Sequence, residues 1–316
     1  MSLKDQEKQI NITKEEKKKE INFITSVLKG IEPKFSKEFL IGSGLYGTII
    51  NESYKKNEIK EMVKALGEVC NKKDAYSFHS NCIYFFWNYE TKEIYYIGLT
   101  NNVLRRFKEH NGLVQNSNTG NKFSQITEYF NENEILGYTL LVRSPINELS
   151  PKGFDKIIGN EIKLAMKNEK KNELFSIEGA LIEEYRLNYG IIPKWNNIGG
   201  SKSARKKLYI KKYGNLFKYV TLTEISDFNS KSTLRELVHN PKYKMIESDL
   251  HSIRMIMYKS NKTFLESYKI FMIYLSNLAK EKEKRGIFPI EECLIFDRFE
   301  KLLKEDYLNK IIKLKR

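Results

Sequence analysis

Two runs of aromatic and β-branched residues, CIYFFWN at 82–88 and EIYYIG at 93–98, restrict the fold of this chain more than any other part of its sequence. Such residues favour strands, and the short polar segment YETK between the runs predicts an antiparallel hairpin. Side chains alternate between the two faces of a strand, so Tyr96 is predicted to share a face with Ile94. With Tyr84 near the middle of the first run, both tyrosines can then point into one cleft.

A turn and an amphipathic helix are predicted directly after the second run, in the segment LTNNVLRRFKEHN. Val103, Leu104 and Phe107 form an apolar stripe at helical spacing within it. Arg106 and His110 lie one turn apart on a neighbouring stripe, where they can face the same phosphate group. The predicted helix therefore carries two side chains that suit phosphate chemistry.

The charge of the chain limits its partners. Its 316 residues include 55 Lys and Arg against 40 Asp and Glu, and the resulting net charge of +15 favours nucleic acid over an acidic membrane surface. No stretch approaches the roughly 20 apolar residues that span a bilayer. No apolar segment follows the charged N-terminus, so a cytoplasmic protein without a membrane partner is expected. Three cysteines, Cys70, Cys82 and Cys293, are too few and too dispersed for a disulfide set or a zinc site.

Composition divides the chain into three regions. Residues 1–77 are predicted to be mainly helical, with a helix in EIKEMVKALGEV and a turn in GSGLYG, a run that lacks the Gly-Lys-Ser/Thr of a phosphate-binding loop. Residues 78–200 mix short strands with helices and are predicted to form a compact α+β (α/β) unit. Residues 201–316, which follow a pair of hinge glycines, are basic and mainly helical.

Six residues of the middle region stand in an order and spacing typical of one nuclease family: Tyr84, Tyr96, Arg106, His110, Glu178 and Asn196. Together with the Ile-Tyr and Tyr-Ile-Gly runs of the predicted strands, they resemble the GIY-YIG endonuclease superfamily. The resemblance implies a small domain with a three-stranded antiparallel sheet flanked by helices. Cys82 replaces the first glycine of the family signature, and a long insertion follows His110. The third strand is predicted within that insertion at ILGYTLLV, before an inserted helix, DKIIGNEIKLAMKN.

The resemblance also implies a role for each residue in phosphodiester hydrolysis. Tyr84 is expected to act as the general base or to position the attacking water, with Tyr96 or His110 favouring its ionised form. Arg106 suits the charge that builds on the phosphoryl oxygens, because a guanidinium stays protonated. Glu178 is expected to hold one Mg²⁺ or Mn²⁺, for which a single carboxylate suffices when water and phosphate fill the other positions.

Two of these assignments keep an alternative. Glu183 and Glu184 follow Glu178 on the same predicted helix, and either of them can take its place. Asn196 is expected to orient a phosphate or a water, and Asn197 beside it is equally suited by chemistry.

A basic strip after residue 200 is predicted to track the DNA backbone. The segment SKSARKKLYIKKYGNLFK has no acidic residue and interleaves aromatic side chains with its cations, as expected for a surface that follows phosphates. A solvated linker is the alternative interpretation. Its contacts with DNA are assigned to Lys202, Arg205, Lys206 and Lys207.

A helix-turn-helix is the prediction for the next segment, TLTEISDFNSKSTLRELVHN. Ile225, Phe228, Leu234 and Leu237 are predicted to pack inward, and two plain core helices are the alternative. The major groove or its flanking phosphates would be reached by Lys231, Ser232, Thr233 and Arg235.

The predicted function is a metal-dependent endonuclease of restriction, homing or phage-defence type that cuts double-stranded DNA at a chosen sequence. A structure-specific repair or recombination nuclease is the first alternative, and a non-catalytic DNA-binding protein on the same fold is the second. One active site per chain and two strands to cut leave a homodimer and sequential nicking both open.

Overall fold

A computed structural model of the chain describes residues 48–71, 74, 76–78, 80, 82–114, 120–142, 173–197, 216–226, 228–260, 263, 266–268, 270–271, 307, 310 and 312–314. The chain divides into two compact units, one of residues 1–34 and 262–309 and one of residues 35–261 and 310–316. The second unit contains the sheet and every site residue discussed below. The predicted GSGLYG turn and the inserted helix DKIIGNEIKLAMKN lie outside the described residues.

Four strands and seven helices make up the described part of the second unit. In chain order they are β1 Thr48–Lys55, α1 Ile59–Val69, β2 Cys82–Asn88, β3 Ile94–Thr100, α2 Val103–His110, α3 Phe123–Glu132, β4 Ile135–Val142, α4 Glu173–Tyr189, α5 Leu216–Val220, α6 Leu234–His239 and α7 Pro241–Ser260. The predicted helix in EIKEMVKALGEV corresponds to α1, the predicted third strand to β4, and the predicted hairpin to β2 and β3.

The strands form one antiparallel sheet in the order β1-β4-β2-β3. The predicted α+β class is therefore confirmed, but the predicted number of three strands is wrong. The fourth strand, β1, comes from the region predicted to be mainly helical and pairs with β4 along its whole length, from Thr48 opposite Val142 to Lys55 opposite Ile135. The predicted region boundaries after residues 77 and 200 stay predictions, although elements on both sides of them pack on this sheet.

The strand β1 escapes sequence reading because its middle residues are polar. Asn51 donates hydrogen bonds to the Thr139 hydroxyl over 3.1 Å and to the Val220 carbonyl over 2.8 Å. Glu52 is 1% exposed and receives the backbone N–H and the guanidinium of Arg235. Buried polar groups are tolerated when they are paired, and these partners come from distant parts of the chain. Only the tertiary structure can therefore reveal the strand.

Both faces of the sheet are covered by helices. One face carries Tyr84 and Tyr96 and packs against apolar residues of α1, α2, α3 and α6. The opposite face carries Phe85 and Ile97 and packs against α4 and α5. Because it is buried on both sides, β2 has no exposed residue, which explains the nearly continuous apolar run of its sequence.

A β-bulge in β3 changes the predicted alternation of its side chains. Phe86 pairs with Tyr96 and Trp87 pairs with Ile94, so that Tyr95 is left without a partner in the register. Ile94 and Tyr96 consequently lie on opposite faces of the sheet, and the prediction that they share a face is wrong. Tyr96 keeps the face of Gly98, the partner of Tyr84, so the bulge changes the face of Ile94 and not that of Tyr96.

The predicted helix-turn-helix is not formed. Residues 221–233 are turns and extended chain, apart from the undescribed residue 227, and Ile49 of β1 exchanges backbone hydrogen bonds with Phe228 and Ser230. The helix α6 begins only at Leu234, where Thr233 caps it and forms a capping box with Glu236. Phe228, Leu234 and Leu237 pack inward as predicted, whereas Ile225 is 48% exposed. The segment therefore places extended chain beside β1 and does not form the predicted DNA-recognition motif.

Within the part of the chain that the structure describes, no helix combines the length and the apolar character that crossing a bilayer requires.

Candidate active site

The hydroxyl of Tyr84 is the centre of the candidate site. Tyr84 lies in the middle of β2, opposite Gly98 of β3 and Leu140 of β4, and its side chain is buried. Its hydroxyl oxygen lies 2.7 Å from Nε2 of His110 and accepts a hydrogen bond from Nε of Arg106 over 3.3 Å. Both partners belong to α2, which begins at the Asn102 cap directly after β3. The short connection between strand and helix therefore aims one face of α2 at the tyrosine.

His110 is a neutral hydrogen-bond donor to Tyr84. Its Nδ1 accepts the backbone N–H of Lys122 over 2.9 Å, so in a neutral ring the proton belongs to Nε2, which faces the Tyr84 hydroxyl. Burial, together with the charges of Arg106 and Lys122, lowers the pKa of His110 well below its ordinary value. The ring is 0% exposed. His110 therefore supports the hydroxyl of Tyr84. It does not face a phosphate, although the sequence predicted that it could.

Arg106 links Tyr84 to two further groups of the site through its guanidinium. Besides Tyr84, its guanidinium donates to Glu109 over 2.9 Å and to the Gly120 carbonyl over 2.6 Å. Burial tends to lower its pKa, but the neighbouring Tyr84 and Glu109 outweigh this effect and raise it, so Arg106 stays charged. Its side chain is 21% exposed and so reaches the protein surface.

Tyr84 and Tyr96 are held against the backbone of Gly98. A Cβ atom on Gly98 would lie 2.5 Å from the Tyr96 ring and 2.6 Å from the ring and hydroxyl of Tyr84. The ring centroids of the two tyrosines are 5.8 Å apart. Burial is the main cause that raises the pKa of each tyrosine, well above the ordinary value for Tyr84, while Arg106 opposes the rise in both. Both phenols are therefore protonated at neutral pH in the free protein.

Glu178 and Asn196 cover the outer edge of β3. Glu178, on α4, accepts the backbone N–H of Leu99 over 3.0 Å. Asn196 accepts the N–H of Ile97 over 3.0 Å and donates to the carbonyl of the same residue over 2.8 Å. The backbone N–H of Trp195 adds a bond to the Tyr95 carbonyl over 2.7 Å. An edge strand that would otherwise present unpaired backbone groups is thereby closed by residues from about 80 to 100 positions away.

These contacts favour one residue of each alternative pair. Glu183 forms an ion pair with Arg186, and Glu184 has no contact with β3 among its described hydrogen bonds, whereas Glu178 lies beside the tyrosine-bearing strand. Asn197 is exposed. The side chain of Asn196 binds both the N–H and the carbonyl of Ile97 and so positions β3, and its role toward a phosphate or a water stays a prediction.

Glu178 fits the part of a single metal-binding carboxylate. One of its oxygens is engaged with Leu99, and no described residue donates to the other. Burial raises the pKa of its carboxyl, against the opposing effects of the Leu99 N–H and Arg106. A divalent cation would favour the ionised form of such a carboxylate. No group of three His, Cys, Asp or Glu side chains is close enough to hold a metal anywhere in the described ranges. A hard cation that takes most of its ligands from water and phosphate suits this geometry.

Two further residues of the site carry no sequence signal that we recognised. Glu109, only 5% exposed, receives hydrogen bonds from Arg105 and Arg106 and fixes the guanidinium of the latter. Lys122 is 4% exposed and holds His110 through its backbone N–H. The capped helix predicted after β3 could have indicated Glu109, which follows Arg106 by one turn. Lys122 lies 12 residues after His110, and no pattern in the sequence links the two.

Three of the residues predicted to contact DNA after position 200 are buried. Ser232 is 0%, Thr233 5% and Arg235 2% exposed, and Arg235 forms ion pairs with Glu52, Glu58 and Glu61. This burial contradicts their predicted role as DNA contacts. Lys231 is half-buried, and its backbone binds Glu247. Outside the described residues lie Lys202, Arg205, Lys206 and Lys207.

The antiparallel sheet, the tyrosines on adjacent strands and the arginine on the following helix define a nuclease domain of the α+β class. Residues 80–139 match a family model described as GIY-YIG catalytic domain. The chain thus carries a GIY-YIG catalytic domain in this segment. The match ends before Glu178 and Asn196, so it is the fold that brings these two to the site. Neither a curated protein nor a solved structure matches the chain significantly.

Proposed function

We propose that this chain is a metal-dependent endonuclease that hydrolyses phosphodiester bonds of double-stranded DNA at chosen sequences. The observation that carries the proposal is the convergence of two donors from α2 on the hydroxyl of Tyr84, beside Tyr96 and a half-buried Glu178. A structural aromatic cluster has no need of such an arrangement. Phosphodiester hydrolysis needs a proton acceptor, a fixed cation and a way to stabilise the leaving oxygen.

Tyr84 is the residue that would accept or position the proton of the attacking water. Its pKa is raised in the free protein, chiefly by burial, so loss of its proton needs help. Arg106 and the neutral His110 both donate to its oxygen, and donors of this kind stabilise the phenolate more than the phenol. The geometry supports a tyrosine that becomes a base only once the positive charge of a bound cation favours its phenolate.

Arg106 would bind the phosphate whose charge increases during the reaction. A guanidinium has five N–H donors. Three of these are used by Tyr84, Glu109 and Gly120, and Tyr96 is a further partner, which leaves one for a phosphate oxygen. These protein contacts fix the side chain before substrate arrives, so little ordering is required at the moment of reaction.

Glu178 would hold Mg²⁺ or Mn²⁺ at the end of β3, and the bound cation would supply Lewis-acid stabilisation of the leaving oxygen. The carboxylate is kept in place by the N–H of Leu99, three residues after Tyr96 in β3. Its closeness to Tyr96 and Arg106 is reflected in the mutual effects on their pKa values.

Binding to DNA is proposed from the net charge of +15 and from the basic strip with Lys202, Arg205, Lys206 and Lys207, which suit phosphates of any sequence. Selection of a target sequence stays a prediction, because the helix-turn-helix that was expected to read the bases is not formed. A structure-specific nuclease and a non-catalytic DNA-binding protein are the competing readings. We propose further that two strands are cut by a homodimer or by sequential nicking.

Cleavage of supercoiled plasmid separates these functions. The full chain is incubated with plasmid in Mg²⁺, in Mn²⁺ and in EDTA, and the ends of any product are sequenced. Ends that share a sequence in either metal, and no cutting in EDTA, would support the proposal. Cutting confined to flapped or branched duplexes would favour the repair nuclease, and binding without cutting would reject catalysis.

Matched variants test the assigned residues. Arg106→Ala is expected to lower the cleavage rate about 10²-fold to 10³-fold, because it removes a fixed donor for the phosphate. Arg105→Ala is the control, since Arg105 pairs with the same Glu109 but is 65% exposed. Glu178→Gln keeps an acceptor for Leu99 but loses the charge, and its control is Glu184→Gln on the same helix. Equal rates within either pair would contradict the role assigned to that residue.

A further inference from the structure

Lys122 is a nearly buried cation beside the ring of Tyr96. It precedes α3, it is 4% exposed, and its Nζ lies 5.1 Å from the centroid of the Tyr96 ring. No carboxylate among the described residues forms an ion pair with it. The nearest described acid on α2, Glu109, is already bound to Arg105 and Arg106.

A lysine that is only 4% exposed and has no carboxylate partner among the described residues is unusual. Lysines are rarely this buried unless they are paired, because removal of a charge from water is costly. Burial, and the like charge of Arg106, both lower the pKa of Lys122. Two cations are therefore close enough to repel each other in the free protein, and an anion between them would relieve both the repulsion and the lost hydration.

We infer that the ammonium of Lys122 and the guanidinium of Arg106 form a two-cation subsite beside Tyr96 that binds the scissile phosphate of DNA. The inference rests on the proposed function and names the residue that completes its phosphate site. Arg106 has one N–H donor left beside its bonds to Tyr84, Glu109, Gly120 and Tyr96, and Lys122 adds up to three from the direction of α3. A phosphodiester has enough acceptor positions to be held from both directions at once.

The position of Lys122 is fixed independently of its charge. Its backbone N–H donates to Nδ1 of His110, and this bond survives any side-chain replacement other than proline. A variant of the side chain therefore leaves the tautomer of His110 unchanged. Loss of function in such a variant reports on the ammonium itself.

A lysine that lies over Tyr95, the neighbour of Tyr96 in β3, provides a matched control. Lys194 places its Nζ 5.2 Å from the ring centroid of Tyr95, almost the geometry of Lys122 over Tyr96. Unlike Lys122, it is exposed. If the cation–π contact were all that matters, Lys122→Met and Lys194→Met would have similar effects.

Two measurements on the full-length protein test the subsite. The first is the affinity for a duplex DNA in EDTA at several salt concentrations, for wild type, Lys122→Met, Lys122→Arg and Lys194→Met. The second is the single-turnover cleavage rate of the same proteins in Mg²⁺. Loss of one phosphate contact is expected to make the slope of log K against log salt shallower by about 0.9 in Lys122→Met, and Lys122→Arg should retain the slope. The cleavage rate of Lys122→Met should fall about 100-fold.

Each outcome decides. A wild-type slope in Lys122→Met, or a change that Lys194→Met shares, overturns the subsite even if cleavage is slower. A wild type that binds DNA but never cuts it rejects the proposed function, while the slopes still report whether Lys122 contacts a phosphate. A wild type that does not bind duplex DNA rejects both. Circular dichroism spectra that match the wild type exclude misfolding as the cause in the variants.

Discussion

Tyr84 owes its chemistry to its neighbours at the scale of single residues. Its phenol is one of 19 in the chain, and burial alone would make it a poor base. Two donors on one face of α2 distinguish it, because they surround its oxygen before any substrate arrives. The absence of a side chain at Gly98 is equally important, since it lets the tyrosine ring lie directly on β3.

Gly98→Ala is expected to impair cleavage with a moderate loss of stability. The new Cβ would lie 2.5 to 2.6 Å from two buried rings, which must shift. Overpacking of this kind typically costs about 1–3 kcal/mol, and a displacement of about 1 Å at a reacting group lowers rates roughly 10²-fold. Urea unfolding and plasmid cleavage measure the two effects.

Gly67→Ala provides the control for this prediction. Gly67 lies within α1, and its added Cβ would meet only Leu104, at an ordinary 3.8 Å. Replacement of a helical glycine should therefore stabilise the protein by roughly 0.5–1 kcal/mol and leave cleavage unchanged. Wild-type cleavage by Gly98→Ala would show that the tyrosines do not need this close packing.

At the scale of elements, the long-range contacts of β1 and β3 decide what their sequences cannot. The edge of β3 is closed by Glu178, Trp195 and Asn196, and the same contacts bring a carboxylate to the tyrosines. At the opposite edge of the sheet, Arg235 of α6 binds Glu52 of β1. Arg235, which was predicted from the sequence to contact DNA, therefore connects α6 to β1 through an ion pair.

Arg235→Ala is expected to destabilise the protein strongly. It would leave Glu52 buried at 1% exposure without its cation, and removal of one partner of a buried pair typically costs about 3–5 kcal/mol. The exposed Arg105, in contrast, should contribute less than about 1 kcal/mol through its ion pair with Glu109. Urea unfolding of both alanine variants checks the difference.

The affinity of Arg235→Ala for DNA offers a second readout. At a temperature where the variant is folded, the salt dependence of its DNA binding should equal that of the wild type, because the guanidinium does not reach solvent. A normal unfolding free energy combined with a shallower salt dependence would restore the DNA-contacting role predicted from the sequence.

At the scale of the whole molecule, the excess of 15 positive charges is the property most relevant to substrate binding. Much of the local charge in the described part is neutralised, as in the Arg105, Arg106 and Glu109 cluster and the Arg235 cluster. The basic strip after residue 200 has no acidic residue within it. We therefore expect this strip to supply much of the electrostatic attraction to DNA.

Neutralisation of four cations in this strip is expected to weaken the salt dependence of DNA binding. Replacement by alanine at Lys202, Arg205, Lys206 and Lys207 should reduce the slope of log K against log salt by up to about 3.6, which is about 0.9 for each lost contact. The measurement is a titration of duplex DNA in EDTA at several salt concentrations.

An equal change of charge elsewhere is the control. Four exposed lysines serve for it: Lys56, Lys60, Lys64 and Lys194. Net charge falls by four in both variants, so only a local contact surface can produce a larger change in the strip variant. Equal slopes for the two variants would mean that the strip is a solvated linker.

The sequence by itself determined the hairpin of β2 and β3, the helix after it, the strand at ILGYTLLV and the class of nuclease. These features depend on local preferences and on short spacings, which survive in a linear pattern. The catalytic candidates Tyr84, Tyr96 and Arg106 could be named for the same reason, since all three lie within 23 consecutive residues.

Only the tertiary structure decided the rest, because each remaining feature depends on partners far apart in the chain. The polar strand β1 is stable only when Asn51 and Glu52 meet Val220 and Arg235. Asn196 acts on the backbone of Ile97, 99 residues away. The role inferred for Lys122 depends on its contacts with Tyr96 and His110. Neither its burial nor the lack of a carboxylate partner among the described residues can be predicted from the sequence.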